Sequence, residues 1–89
     1  MDIGPGSIVY SKAGRDKGGY FIVMSRSGEY ISICDGKGRK TDKPKRKKIK
    51  HVKAGVGFSE FVSKKLAAGE KVTNTELRRE LLEYNQKEE

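Results

Sequence analysis

The chain contains only one cysteine and one histidine among its 89 residues. Cys34 has no partner for an internal disulfide and no second cysteine at metal-ligand spacing, which excludes a cysteine zinc site and fits a reducing, cytoplasmic location. A single histidine, His51, also rules out a cluster of histidine ligands. We expect neither a bound metal nor another cofactor.

Long apolar runs and paired catalytic groups are missing as well. No apolar stretch is long enough to span a membrane, and residues 1–6 lack the charged and apolar regions of a signal peptide. Cys34 has no accompanying pair of histidine and acid, and the few carboxylates of the first half stand alone in the sequence. The sequence therefore predicts a protein that is not an enzyme and has no membrane partner.

Basic residues, in contrast, are abundant. Twenty Lys and Arg stand against twelve Asp and Glu, which gives a net charge of +8 at pH 7 and an isoelectric point near 9.7. Hydrophobic residues make up only 34%, so the 89 residues have room for one small domain, or for a smaller core plus a tail, and the core must be compact. A positive surplus of this size favours a polyanionic partner, and nucleic acid is the first candidate.

Short runs rich in Ile, Val, Tyr and Phe are typical of β-strands. They are bounded by Gly, Ser and Asp and comprise residues 7–11, 19–26 and 30–35. The second run is apolar on both faces, which predicts a central strand. Residues 49–53 offer a closing strand, with Ile49 and Val52 turned inward. A small antiparallel set of this kind predicts a barrel or a strongly bent sheet.

Helical periodicity begins after the composition changes near residue 54. The first apolar stripe at helical spacing consists of Phe58, Phe61, Val62 and Leu66. Gly69 follows as a natural stop. Residues 73–76 read Thr-x-x-Glu, the pattern of a capping box, which predicts a second helix running to about Asn85 and a frayed end over residues 86–89.

These patterns divide the chain into two parts. We predict a β-rich domain over residues 1–53 and a helical C-terminal extension over residues 54–89, so the fold class is mainly β with two short appended helices. Helices of this length are marginal alone in water, and their apolar stripes need burial. The sequence leaves open whether they pack on the β-rich part or on a partner.

A glycine-rich, basic turn lies between the first two predicted strands. Glycine recurs at positions 14, 18 and 19, which permits positive φ and a sharp reversal of the chain. Cations are interleaved with these glycines, and backbone N–H groups of Gly14 and Gly18 could meet a phosphate oxygen. Asp16 is expected to cap the turn by bonding its own backbone.

The run from residue 10 to residue 18, Tyr-Ser-Lys-Ala-Gly-Arg-Asp-Lys-Gly, resembles the KOW motif of RNA-binding and ribosomal proteins. The sequence of this run is similar to that of a family of archaeal and eukaryotic large-subunit ribosomal proteins and of their small bacterial KOW-domain relatives. The resemblance covers residues 6–53. It implies an SH3-like barrel, RNA as the ligand and a role on the ribosome.

A second basic feature is the loop predicted over residues 37–50. Lys and Arg crowd this stretch and only Asp42 opposes them, so like charges repel unless a polyanion neutralises them. Pro44 disfavours helix, and residues 43–48 are therefore predicted to form an extended, exposed loop across phosphates. A solvated loop without a ligand is the alternative.

The two features together give the predicted RNA-binding set. Its members are Lys12, Gly14, Arg15, Lys17, Gly18, Lys37, Arg39, Lys40, Lys45, Arg46, Lys47, Lys48, Lys50 and His51. His51 alternatively is an ordinary surface residue. Tyr10, Tyr20 and Tyr30 either stack on unpaired bases or pack across strands, and packing is the favoured interpretation.

The resulting hypothesis is a non-enzymatic, cytoplasmic protein that binds structured RNA through its backbone and shape. Ribosomal RNA is the expected partner, with ribosomal proteins as further candidates; the preference for RNA over DNA rests on the resemblance. The alternative is a protein-interaction module that uses an SH3-like barrel and the apolar helix stripes, as KOW domains of transcription elongation factors do.

Overall fold

The computed structural model describes residues 3–85, so the frayed end predicted for residues 86–89 lies outside the described residues. Five strands form one antiparallel sheet in the order β4-β3-β2-β1-β5. The strands are β1 (Ser7–Ser11), β2 (Tyr20–Ser27), β3 (Tyr30–Cys34), β4 (Lys45–Lys48) and β5 (Val52–Phe58). A 3₁₀ turn over Ile49–His51 precedes β5, and the helices α1 (Glu60–Ala67) and α2 (Asn74–Asn85) follow it.

The mainly β class with two C-terminal helices is confirmed. The sheet is open, so the prediction that a strand over residues 49–53 closes a barrel was wrong: residues 49–51 form the 3₁₀ turn, and β4 and β5 are the two edges of the sheet and do not pair with each other. Gly28, with φ of 62°, turns the chain between β2 and β3. Strand β2 lies at the centre of the order, as its two apolar faces require.

Each face of the sheet has its own core. Alternation along β2 sends Phe21 and Val23 into one cluster and Ile22 into the other. The first cluster is built from the sheet and the N-terminal segment, with members Ile3, Val9, Phe21, Val23, Ile31, Ile33 and Val52. Val52 is buried in it and Ile49 packs against it, so both residues turn inward as predicted.

The second core joins the helices to the sheet. Val62 of α1 and Leu77 and Leu81 of α2 are buried together with Ile8 and Ile22. The question that the sequence left open is thereby answered, because the helices dock on the sheet. The capping box also forms: the Thr73 hydroxyl accepts from the Glu76 N–H at 3.1 Å, and the Glu76 carboxylate accepts from the Thr73 N–H at 2.9 Å.

The first helix begins later than its apolar stripe predicts. Phe58 is the last residue of β5, and its side chain is 58% exposed. Ser59 is the N-cap of α1, and its hydroxyl accepts from the Val62 N–H at 3.1 Å. Phe61 is also exposed, so Val62 is the stripe residue that α1 buries. Strand β5 spans Val52–Phe58, so it crosses the predicted boundary between the β-rich part and the helical extension at residues 53 and 54.

The predicted exposed loop over residues 43–48 was wrong for its last four residues. They form β4, whose Lys45 pairs with Ile33, Lys47 with Ile31 and Lys48 with Tyr30. Pairing separates the charges, because successive side chains of a strand point to opposite faces. Repulsion along the sequence therefore did not prevent a strand at the edge of the sheet, where charged residues are common.

Candidate nucleic-acid interface

The glycine-rich loop joins β1 to β2 over residues 12–19. Gly14 and Gly18 have φ values of 80° and 94°, in the left-handed region that the sequence predicts for this turn. Three loop amides donate to carbonyls of the loop or of the end of β1: Lys17 N–H to the Gly14 carbonyl, Gly18 N–H to the Ser11 carbonyl and Gly19 N–H to the Asp16 carbonyl. The Gly18 amide is thus occupied, and the prediction that it meets a phosphate was wrong.

Asp16 and Arg39 tie the loop to the turn that follows β3. The Arg39 guanidinium donates from Nε to Oδ1 and from Nη2 to Oδ2 of Asp16, both at 3.1 Å. Such a two-pronged pair is geometrically specific. The prediction that the Asp16 side chain caps its own backbone was wrong, because this side chain binds Arg39. The charge of Arg39 is therefore paired with a carboxylate of the same chain.

Lys47 ties the loop to β4. Its side chain is buried, with 8% of the residue exposed, and Nζ donates to the Ala13 carbonyl at 2.8 Å. A lysine held in this way positions the loop. We therefore remove Lys47 from the phosphate contacts and treat it as a positioning residue, a correction that follows from its burial and its bonded ammonium group.

These ties bring the two predicted basic features to one groove of about 450 Å³, here called the basic groove. Its lining comes from the glycine-rich loop, β3, β4 and the 3₁₀ turn. The residues are Ala13, Gly14, Arg15, Tyr30, Lys45, Arg46, Lys47, Lys48 and His51. Residues far apart in the sequence thus form a single concave, positively charged surface.

Tyr30, for which the sequence favoured packing over stacking on a base, is a member of this groove. The Arg46 guanidinium lies 4.0 Å from the centre of its ring and the Lys48 ammonium lies 5.8 Å from it. Cations over a ring face are held by the ring quadrupole, which limits the directions in which they point. Tyr30 lies opposite Lys48 because the two residues pair across β3 and β4. The sequence alone does not give the register of these strands, so it could not place Tyr30 beside the cations.

The other predicted residues lie around the groove. Lys12 and Lys17 are exposed on the glycine-rich loop, and the Lys12 N–H donates to the His51 carbonyl at 3.0 Å. Lys37 and Lys40 are exposed on the turn after β3, and Lys50 is exposed on the 3₁₀ turn. The structure brings Gly14, Arg15, Lys45, Arg46, Lys48 and His51 together and leaves these other cations outside the lining.

Cys34 lies in the second core and has no role in the groove. It is fully buried, and its Sγ donates to the Lys40 carbonyl at 3.5 Å. Burial, with smaller contributions from Asp35 and Asp42, raises the pKa of the Cys34 thiol to about 11. The thiol is therefore protonated near neutral pH, which agrees with a structural residue.

Within residues 3–85, no three or more His, Cys, Asp or Glu side chains are grouped where they could hold a metal ion. None of the helices described is both long and apolar enough to cross a membrane. The sequence matches no known protein-family model, and no curated protein gives a significant match to it.

Proposed function

We propose that this protein binds RNA by laying the phosphate backbone of a structured RNA in the basic groove. The supporting observation is the convergence of the glycine-rich loop and β4, which brings Arg15, Arg46 and Lys48 to one concave surface. Exposed cations neutralise phosphates and release counterions, and this supplies most of the affinity in contacts of this kind. A net charge of +8 also attracts the polyanionic RNA at long range.

The choice of RNA, and of ribosomal RNA in particular, rests on the resemblance of residues 10–18 to the KOW motif. Two features support an SH3-like assignment: the antiparallel order in which β5 returns to pair with β1, and the short 3₁₀ turn before β5. In this proposal the protein is associated with the ribosome and acts in the cytoplasm. Ribosomal proteins next to the bound RNA are further candidate partners.

The test compares two double variants that lose equal charge. Arg15→Gln with Arg46→Gln removes two cations of the basic groove, whereas Lys64→Gln with Lys71→Gln removes two exposed cations of the helical part. Affinity for an RNA hairpin is measured over a series of salt concentrations. The groove variant is expected to bind more weakly and to lose about 0.7 to 0.9 in salt slope for each lost phosphate contact. The helical variant is expected to stay close to the native protein.

Equal effects of the two double variants would mean that net charge alone drives binding, and the groove would not be the site. A DNA hairpin of the same sequence tests the preference for RNA, which charge alone does not provide. Cosedimentation of the native protein with ribosomes tests the ribosomal partner, and the groove variant is expected to be released at lower salt. Failure to sediment would overturn the ribosomal part of the proposal.

A second candidate function is protein interaction through the helical part. Phe58 and Leu82 are each 58% exposed, and Phe61 is exposed beside the Arg79 guanidinium, which lies 5.2 Å from its ring centre. Large apolar side chains at the surface mark contact sites when they are contiguous. Binding by this surface would change little with salt, and replacement of Leu82 by Gln would abolish it while RNA binding persisted.

A further inference from the structure

A second cavity, of about 500 Å³, is lined in part by Gly18 of the glycine-rich loop. Three tyrosines line it, and we call it the tyrosine pocket. Its lining residues are Tyr10, Gly18, Tyr20, Lys53, Val56, Tyr84 and Asn85. We propose that the tyrosine pocket binds an unpaired nucleobase of the same RNA that lies in the basic groove, an inference that rests on the proposed function.

The sheet aligns three of these residues in one row. Tyr10 pairs directly with Tyr20 across β1 and β2 and with Lys53 across β1 and β5. Directly paired residues of neighbouring strands project from the same face, so two rings and a cation stand side by side. This combination suits a base with its phosphate, since the rings offer stacking and the ammonium offers charge.

The end of α2 supplies the third ring. The centre of the Tyr84 ring lies 5.5 Å from that of Tyr20, which in turn lies 5.0 Å from that of Tyr10. The Asn85 amide pins the helix end, because its oxygen accepts from the Tyr20 N–H at 3.2 Å and its nitrogen donates to the Tyr20 carbonyl at 3.4 Å. Gly57 leaves space for the Tyr84 hydroxyl, which an added Cβ would meet.

The charge of the pocket selects among the ligands that aromatic rings bind. Three tyrosines could also surround a methylated lysine, a common use of aromatic cages. Lys53 lines the same pocket and would repel such a cation. All three rings are half-buried, so part of each remains open to a ligand. A neutral ring attached to a negative group, such as a nucleobase with its phosphate, is therefore the favoured occupant.

One nucleic-acid chain can reach both sites. Gly14 and Arg15 line the basic groove and Gly18 lines the tyrosine pocket, and in the same way His51 lines the groove while Lys53 lines the pocket. His51 and Lys53 are two positions apart, so their Cα atoms are separated by at most about 7 Å. A strand that leaves the groove would therefore meet the pocket within a few nucleotides. Gly18 does not obstruct this route, since nothing lies within 4 Å of the position of a Cβ there.

The experiment compares oligouridylate with an abasic chain of the same length, which carries the same phosphates and no bases. The native protein is expected to bind oligouridylate at least about tenfold more tightly, since stacking is worth roughly a factor of ten per base. Tyr10→Leu is expected to abolish this preference, and Tyr10→Phe to retain it because the ring remains. Circular dichroism establishes that both variants are folded.

Lys53→Glu provides a variant at an exposed position, and Lys71→Glu is its control of equal charge. We expect Lys53→Glu to weaken oligouridylate binding several-fold more than the control does. Equal binding of the two chains by the native protein, with steep salt dependence, would overturn the tyrosine pocket and leave the basic groove intact. No binding of either chain or of the RNA hairpin would overturn both. Preferential binding of a trimethyl-lysine peptide would assign the pocket to a protein ligand instead.

Discussion

Lys47 differs from the other lysines of its strand because its ammonium group is bonded inside the protein. Nζ donates to the Ala13 carbonyl, and the residue is almost fully buried on the edge strand β4. Arg46, its neighbour, is exposed and lies over the Tyr30 ring. Two adjacent cations of one basic run thus differ in their surroundings: Lys47 holds the loop, whereas Arg46 is exposed and, in the proposed function, contacts phosphate.

Replacement of Lys47 is expected to affect stability. Lys47→Met keeps an apolar stem and leaves the Ala13 carbonyl without its donor, which costs about 1 kcal/mol of unfolding free energy. Lys45→Met, on the same face of β4, is the control and is expected to cost less than about 0.5 kcal/mol. Urea unfolding measures both. A native-like stability of Lys47→Met would show that the hydrogen bond does not hold the loop.

Gly14 is one of the two positions at which the loop has a left-handed backbone. Its φ of 80° is unfavourable for any residue with a Cβ, whereas the nearest atom to an added Cβ is the Lys47 Nζ at an ordinary 3.5 Å. Gly14→Ala is therefore expected to lose about 1 to 2 kcal/mol through backbone strain alone. Gly38→Ala, in open space and without positive φ, is the control. Thermal unfolding that shifts equally for both variants would contradict this mechanism.

At the scale of elements, the N-terminus of α2 is fixed by its capping box. The hydrogen bond from the Thr73 backbone N–H has the largest effect in lowering the pKa of Glu76 below its usual 4.5. The Lys65 ammonium, 3.1 Å from the Glu76 carboxylate, lowers this pKa further. A carboxyl whose pKa is lower in the folded state stabilises the fold above the pKa of the unfolded chain. That stability is lost as the pH falls through the lower, folded value.

The acid sensitivity of the protein is therefore expected to depend on Glu76. Between pH 6 and pH 3 the native protein loses unfolding free energy, and Glu76→Gln is expected to lose less of it because a neutral amide still accepts from the Thr73 N–H. Glu60→Gln is the control, since its pair with Lys64 is solvent-exposed and contributes little. Urea unfolding at the two pH values measures these losses. Equal losses of unfolding free energy in the native protein, Glu76→Gln and Glu60→Gln would rule out a role of Glu76 in acid sensitivity.

Local signals predicted most elements, and long-range pairing decided the rest. The runs of β1, β2 and β3 and the capping box depend on neighbours in sequence, and each was predicted correctly. The closing strand predicted over residues 49–53 was wrong for its first three residues, which form the 3₁₀ turn. Residues 45–48 became a strand because β3 offered them an open edge, and Phe58 became the end of β5 because it pairs with Ser7 of β1. Neither partner can be identified from the local pattern.

At the scale of the whole molecule, the sheet has two covered faces and two edges with different surroundings. The helices cover one face, and the glycine-rich loop folds towards the β4 edge, where Lys47 and Arg39 hold it. The sequence identified both basic segments of the candidate interface. It could not show that they meet, or that Lys47 and Arg39 are internally bonded, since those contacts join residues more than twenty positions apart.

The most direct test of the central claim is a map of amide chemical shifts of the labelled protein during titration with an RNA hairpin. The largest changes are expected at residues 13–15, 45–48 and 51, which line the basic groove, and they should diminish as salt is raised. Changes confined to α1, α2 and the exposed Phe58, or no changes at a concentration of RNA well above that of the protein, would contradict the account.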